Sequence, residues 1–191
     1  LARKTKARIH FTHVSSMDSL ELIRLAKEDG ISVTCDVTPH HLCFDEGCLE
    51  DYDTNFKVNP PLRSKEDREA LVEALNAGII DAIASDHAPH NESEKNTTLK
   101  EAACGVTGME TLFAATYSEL VIKRKFSFRK YLSYLTHVPY NIMGLKPPEI
   151  KQGNIAELVI LDLKKEKTIS RDFFFSKSSN SPFIGKKLAG E

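Results

Sequence analysis

The order of the predicted elements in this chain of 191 residues indicates an α/β fold of the β/α-barrel type. Three apolar segments, at 8–14, 31–37 and 79–84, predict strands, and the second is especially rich in β-branched residues. Helical patterns over about 17–29 and 64–77 lie between them, joined by short turns. Strands that alternate with helices in this way predict parallel pairing through right-handed crossovers.

The boundaries of these elements carry capping signals. Ser16 precedes the first helix and is a favourable N-cap residue. The second helix opens with Ser64 and Asp67, which have capping-box spacing, and Gly78 follows its end. Before this helix, residues 56–61 predict a short strand that two prolines stop.

Polar and helical patterns follow the third strand. We expect the polar loop at 91–100 to be mobile or folded over a site. Thr107 and Glu110 have capping-box spacing and predict a helix through about residue 122. Ser127 predicts the cap of a further helix, which ends near residue 136.

The last part of the chain changes character. Residues 153–163 predict a turn followed by a strand, and no helical pattern separates them from three phenylalanines at 173–175. We therefore expect residues 1–150 to form the barrel portion and residues 151–191 to form the start of a small β region that the chain does not finish. The chain begins with Leu1 and enters its first strand almost at once, which predicts a piece of a longer protein.

Composition excludes several classes of function. Hydrophobic residues make up 41% of the chain and charged residues 28%, which is ordinary for a globular domain. The net charge of −1 gives no electrostatic footprint for nucleic acid. No apolar run approaches the roughly 20 residues that cross a bilayer. The four cysteines are too sparse for a disulfide scaffold and predict reduced thiols in a cytoplasmic protein.

The strand end at Asp86 is the most informative position for function. The acid follows the apolar segment 79–84 after one serine, and His87 and His90 come next. In a β/α barrel, side chains at the carboxyl ends of strands carry the chemistry. Asp86 is therefore a candidate metal ligand, general base or both. A tight turn that contains Pro89 cannot aim both histidines at one metal ion.

A histidine also ends the first strand. Because side chains alternate along a strand, His13 shares a face with Phe11 while His10 points the other way, so only one histidine can face a barrel interior. His13 is better placed. A lone histidine here would be a hydrogen-bonded structural residue, whereas a histidine and a carboxylate such as Asp86 from two strand ends are common Zn²⁺ ligands. The residues alone leave both interpretations open.

Three further places carry weaker signals. His40 and His41 end the second strand, where one can line a pocket while the other stabilises the turn, or both can be buried structural residues. Asn59, before two prolines, can hold a substrate carboxylate or amide, or form an Asx turn. Cys104 and Gly105 follow the polar loop and can offer backbone N–H groups to an anion.

Six short stretches occur in an order that is typical of one enzyme family. They are THVSS at 12–16, DVTPHHL at 36–42, KVNPPLR at 57–63, SDHAPH at 85–90, GVTGMET at 105–111 and SKSSNSPF at 176–183. Together they resemble the class I dihydroorotases, which are cyclic amidohydrolases of the amidohydrolase superfamily. Any one stretch is modest, but the series spans nearly the whole chain.

The resemblance implies a zinc-dependent, reversible ring closure in pyrimidine biosynthesis, from N-carbamoyl-L-aspartate to L-dihydroorotate, with one or two Zn²⁺ ions per complete site. It implies His13 as a zinc ligand. It implies Asp86 both as a zinc ligand and as the catalytic acid/base. In some members an acid at the position of Asp36 helps to bind an extra metal ion. His40 and His41 match the family pattern without being assigned as ligands.

The resemblance also implies the substrate contacts. Asn59 and His90 would contact the substrate, with His90 near its carboxylate. Cys104 and Gly105 lie where the backbone of the family touches the substrate ring, although the family more often has a bulkier apolar residue at position 104.

One departure from the family is large. The early His-x-His pair, the bridging Lys or Asp and another ligand histidine would all precede this chain, and no His-x-His pattern occurs here. A complete β/α barrel takes roughly 250 residues. The resemblance therefore implies the second half of a (β/α)8 barrel, and we expect these residues alone to be inactive.

Two alternatives stay open. One is another cyclic amidohydrolase, such as an allantoinase or a hydantoinase. The other is a catalytically dead homologue that acts as a scaffold beside aspartate carbamoyltransferase, although His13 and Asp86 are both retained. The candidate partners are a small-molecule substrate, a second copy in a homodimer, and aspartate carbamoyltransferase.

Overall fold

A computed structural model describes residues 2–191 of the chain. Its strands are β1 (Ile9–Phe11), β2 (Val33–Val37), β3 (Ala82–Ile83), β4 (Glu166–Thr168) and β5 (Lys187–Ala189). The first three form a parallel sheet in the order β1–β2–β3. A parallel bridge between His87 and Val106 lies beyond β3. The predicted α/β fold with parallel strands is confirmed.

Helices connect and cover these strands. They are α1 (Ala2–Thr5), α2 (Met17–Glu28), α3 (Pro39–Cys43), α4 (Lys65–Ala77), α5 (Glu92–Lys95), α6 (Leu112–Thr116), α7 (Phe128–Leu135) and α8 (His137–Ile142). A π-helical segment, Tyr117–Lys123, continues α6. The side chains of Ser16 and Ser64 accept hydrogen bonds from the backbone N–H groups of Ser19 and Asp67, which confirms both predicted N-caps.

The core lies on one face of β2. Cys35 and Val37 are fully buried there, among apolar side chains of α2, α4 and α7. Burying each large apolar side chain stabilises the fold by about 1.5–3 kcal/mol. Thr34 and Asp36 alternate with these residues and therefore point to the opposite face. The packing of the helices thus decides which face of the sheet is left for polar side chains.

Two local predictions are wrong. Residues 56–61 form no strand, because Thr54–Phe56 is a 3₁₀ turn and the two prolines that follow have no N–H to donate to a ladder. The expected capping box at Thr107 and Glu110 is also absent, since the helix begins at Leu112. Both side chains instead make long-range hydrogen bonds.

The end of the chain packs back on the barrel portion. β4 and β5 form an antiparallel pair, and the backbone N–H of Ala189 donates to Ser118 Oγ at 2.8 Å. The strand predicted within 153–163 is not formed, and the apolar side chains of residues 155–160 are exposed. A domain boundary near residue 150 stays a prediction.

Two whole-chain features bear on the setting of the site. All four cysteines are free thiols. In the part of the chain that the structure describes, residues 2–191, no helix has both the length and the apolar character that crossing a membrane requires.

Candidate functional site

The parallel strands bring polar side chains to one edge of the sheet. His13 follows β1, Asp36 lies near the end of β2, and Asp86 follows β3. His13 and Asp86 both have left-handed backbone angles, with φ of 60° and 46°. Such angles cost a non-glycine residue about 1–3 kcal/mol and cluster at functional sites. The chain therefore turns sharply at both strand ends.

His13 and Asp86, which the sequence places at two strand ends, lie side by side. Nε2 of His13 is 3.4 Å from Oδ1 of Asp86. Two atoms that are each about 2.0–2.1 Å from a tetrahedral zinc ion lie about 3.3 Å apart. The pair therefore has the spacing of two ligands of one ion. Its role as a ligand pair stays a prediction.

Asp36 holds His13 in this orientation. Its Oδ1 accepts a hydrogen bond from the backbone N–H of His13 at 2.7 Å and lies 3.1 Å from His13 Nδ1. Because a carboxylate only accepts, a neutral His13 carries its proton on Nδ1 and presents the Nε2 lone pair towards Asp86. The hydrogen bond to Asp36 raises the pKa of His13. Burial raises the pKa of Asp36, but hydrogen bonds from His13 and His10 outweigh it and leave that pKa lowered.

The predicted separation of His10 and His13 onto opposite faces is wrong. Nε2 of His10 lies 2.9 Å from Oδ2 of Asp36, so both rings reach the same carboxylate. β1 ends at Phe11, and the left-handed backbone of His13 lies outside the strand. The alternation of strand side chains therefore no longer applies to it.

His40 is buried beside the carboxylate of Asp86. Its side chain is 2% exposed, and Nε2 lies 3.6 Å from Oδ2 of Asp86. Neither ring nitrogen has a hydrogen-bond partner among residues 2–191. An unpaired buried polar group costs about 1–3 kcal/mol and calls for an explanation. Burial and the nearby His41 and His13 lower the pKa of His40 well below its ordinary value. The neutral ring is thus available to a group that binds next to Asp86.

His41 has a different role. Nε2 donates to the carbonyl of Pro60 at 3.0 Å, and Nδ1 accepts from the Thr38 hydroxyl at 2.7 Å. Burial lowers the pKa of His41 to about 4. Of the two neighbouring histidines, His40 therefore faces the site and His41 stabilises the turn.

The donors at this edge suit zinc but are few. His13, Asp86 and His40 offer imidazole nitrogen and carboxylate oxygen, which are common zinc ligands. Within residues 2–191, no group of three or more histidine, cysteine, aspartate or glutamate side chains is arranged to hold a metal ion. The described residues therefore supply part of a ligand set.

The other predicted site residues lie around one loop. Nε2 of His90 donates to the carbonyl of Cys104 at 3.0 Å, and the Gly105 N–H donates to the carbonyl of Lys57 at 3.0 Å. Lys57 lies two residues before the exposed Asn59. The structure thus brings His90, Cys104 and Gly105 together. It also uses the Gly105 N–H inside the protein, although we expected that backbone to face a ligand.

Only glycine fits at position 105. Its φ is +146°, and a Cβ there would lie 2.6 Å from Cβ of Ala88 and 3.0 Å from Nε2 of His90. The loop therefore approaches the His90 turn more closely than a side chain would allow.

Two cavities border these residues. A polar cavity of about 560 Å³ lies beside His90, with Lys95 and Asn180 in its wall. A more apolar cavity of about 850 Å³ lies beside β1 and includes Phe11 and His13 in its wall.

Comparison with known proteins identifies the family. The sequence of residues 1–184 matches the amidohydrolase family. The chain belongs to this family. It is 47% identical over 188 residues to a dihydroorotase from Caldicellulosiruptor saccharolyticus, covering 98% of this chain and 44% of that protein. It is 44% identical to a dihydroorotase from Carboxydothermus hydrogenoformans, covering 100% of this chain and 44% of that one.

Solved structures show the same architecture for this amidohydrolase chain. The L-hydantoinase (dihydropyrimidinase) from Arthrobacter aurescens superposes with a TM-score of 0.91 at 30% identity, over 98% of this chain and 43% of that chain. The dihydropyrimidinase from Brevibacillus agri superposes with a TM-score of 0.88 at 25% identity, over 100% of this chain and 43% of that chain. The predicted barrel-type α/β fold is confirmed. The chain spans less than half the length of these relatives.

Sequence reasoning missed two buried polar residues beside the candidate site. Lys95 and Asn180 are 5% and 7% exposed and lie against the loop of Cys104 and Gly105. Lys95 falls in the segment 91–100 that the sequence predicts as a polar loop, where a lysine is expected to be solvated, and in the structure it ends helix α5. Asn180 lies in the stretch 176–183 that resembles dihydroorotases, so the resemblance contained a signal for it.

Proposed function

We propose that the protein carrying this chain is a zinc-dependent dihydroorotase, which interconverts N-carbamoyl-L-aspartate and L-dihydroorotate in pyrimidine biosynthesis. The observation that carries the proposal is the 3.4 Å spacing of His13 Nε2 and Asp86 Oδ1. It occurs in a chain that is 47% identical to a protein named dihydroorotase.

His13 and Asp86 are the residues of this chain that would hold the metal, and the buried His40 lies 3.6 Å from Asp86 without completing a three-ligand group among the described residues. When bound, such an ion lowers the pKa of water and polarises a carbonyl. Asp36 prepares His13 for this role because it occupies Nδ1 and leaves Nε2 to act as the donor.

Asp86 is the proton carrier in this proposal. Its carboxylate takes a proton from the attacking water and delivers it to the ring amide nitrogen as the bond breaks, and the reverse reaction uses the same group in the opposite sense. His40 lies 3.6 Å away but is held neutral by burial, so it does not neutralise this carboxylate.

The substrate binds next to this carboxylate. Asn59 and His90 are the side chains that we assign to its polar groups, and the backbone at Cys104 and Gly105 forms the wall against its ring. A homodimer, an association with aspartate carbamoyltransferase and a cytoplasmic location stay predictions.

Hydantoin hydrolysis is a second candidate because the L-hydantoinase from Arthrobacter aurescens has the same architecture. The identity of 30% to that protein is lower than the 47% to the dihydroorotase, which favours dihydroorotate as the substrate.

The test uses the intact protein, expressed with any sequence that flanks these residues. We expect bound zinc, and turnover of L-dihydroorotate in preference to hydantoin. Asp86→Asn should lower the rate by about 10²–10⁴-fold because it removes the acid/base, while Asp172→Asn on the exposed surface should not. Faster turnover of hydantoin would support the second candidate, and full activity of Asp86→Asn would contradict the proposal.

The isolated chain gives a separate test. We expect residues 1–191 alone to show no turnover and weak zinc binding by calorimetry, because they supply only part of the ligand set. Activity on addition of Zn²⁺ alone would contradict this.

A further inference from the structure

Two buried polar side chains converge on the carbonyl of Gly105. Nδ2 of Asn180 lies 3.0 Å from this oxygen, and Nζ of Lys95 lies 3.2 Å from it. Both side chains are almost wholly removed from solvent. Burying a polar group is costly unless it is hydrogen-bonded, so both residues depend on hydrogen-bond partners within the protein.

Asn180 uses both ends of its amide. Besides Gly105, Nδ2 donates to the carbonyl of Ala88 at 3.3 Å. Oδ1 accepts from the backbone N–H of His90 at 3.0 Å and from the Thr107 hydroxyl at 2.8 Å. One side chain thus ties the turn that carries His90 to the loop that carries Gly105.

Lys95 also anchors this loop. Its Nζ donates to the carbonyl of Ala103 at 2.9 Å and lies 3.5 Å from the carbonyl of Lys57. Lys57 lies two residues before Asn59. The residues that we assign to substrate binding are therefore held relative to one another by these two side chains.

We propose that Asn180 is a positioning residue for the substrate, which fixes the His90 turn against the Cys104–Gly105 loop, with Lys95 as the second anchor. The inference rests on the proposed function, since it takes His90 and this loop as substrate contacts. Both amide hydrogens of Asn180 are already donated within the protein, so it acts through its neighbours rather than by touching the substrate.

The test is Asn180→Ala in the intact protein. We expect the KM for L-dihydroorotate to rise about tenfold while kcat changes less than about threefold, because binding geometry is lost and the acid/base is not. Hydrogen exchange at the His90 amide should be about tenfold faster because its acceptor is gone. The control is Asn154→Ala, an exposed residue whose side-chain amide donates to the Glu149 carbonyl, and it should change neither value.

The two readouts separate this inference from the proposed function. Inactive wild-type protein would overturn the proposed function, and exchange at His90 would then decide the positioning role alone. Faster exchange with an unchanged KM would overturn the substrate role, and unchanged exchange would overturn the positioning itself. Equally faster exchange at Leu71 and Leu75 in the core would assign Asn180 to global stability and overturn the inference.

A second variant applies if Asn180→Ala does not fold. Thr107→Val removes a hydroxyl that donates to Oδ1 of Asn180 and keeps the side-chain volume. We expect the KM to rise about threefold, and Thr107→Ser to restore it. An unchanged KM in Thr107→Val would overturn the inference.

Discussion

Two apolar segments of this chain lie in opposite surroundings. Ile80, just before β3, is completely buried, whereas Ile160 is 95% exposed. Residues 82 and 83 pair in parallel with β2, while residues 155–161 form no strand in the described part of the chain. Both segments are short, apolar and rich in isoleucine.

The contrast shows that a β-forming pattern needs a partner. A strand gains stability from ladder hydrogen bonds and from burial of its side chains, and neither exists for a segment without a neighbour. β3 has β2 on one side and the packed helices over it. The apolar pattern at 155–161 therefore shows that the segment is able to form a strand, but a strand forms only where a neighbouring strand and a packed surface are present.

Truncating one isoleucine in each segment tests the contrast most strongly. Ile80→Ala should lower the free energy of unfolding by about 2–5 kcal/mol because it opens a cavity in the core. Ile160→Ala should change it by less than about 0.5 kcal/mol. Urea unfolding of both variants measures the difference, and equal losses would show that Ile160 is packed.

Acid should weaken the packed region through His41. The unfolded histidine binds a proton near pH 6.5, while the folded one has a pKa of about 4, so the unfolded state binds more protons between these values. Stability should therefore fall as the pH drops from 6.5 to 4, by at most about 1.4 kcal/mol per pH unit for this group.

His41→Gln should flatten this slope even if it lowers stability at neutral pH. His137→Gln, at an exposed position, is the control and should leave the slope as it is. A slope that His41→Gln does not change would assign the acid sensitivity to other groups, among them His40. Unfolding free energies measured across this pH range provide the comparison.

The smallest effect is expected in the exposed segment. Ile160→Lys should leave the free energy of unfolding within about 0.5 kcal/mol of its original value, yet reduce concentration-dependent association by breaking an apolar patch. Sedimentation velocity measures the association, and Asn76→Lys, which adds the same charge on α4, should not reduce it. Equal reduction by both variants would attribute the effect to net charge.

Much of the barrel portion could be predicted from the sequence. The strands at β1, β2 and β3 fall inside the predicted segments, and the caps at Ser16 and Ser64 are local features that their own neighbours determine. Local patterns succeed where the hydrogen-bond partner is only three residues away.

The failures share a long-range cause. Thr107 has a capping-box pattern, but its hydroxyl bonds Asn180, which is 73 residues away. Lys95 is buried because its ammonium group contacts three backbone carbonyls, which lie 8, 10 and 38 residues away along the chain. The proximity of His13 and Asp86 could be predicted from the sequence because strand ends in a barrel have fixed positions. The burial of His40 could not be predicted, since it depends on how α3 packs.

The position of Asn180 in the chain has a consequence for biosynthesis. It lies 90 residues after His90, whose backbone N–H it accepts. At roughly 5–20 residues per second, a ribosome needs about 5–20 s to cover that interval. During this time the nascent chain contains the strands and their histidines but lacks the Asn180 amide that bonds the His90 turn. The contacts of Asn180 with His90 and Gly105 therefore form late, although the residues that it joins are made early.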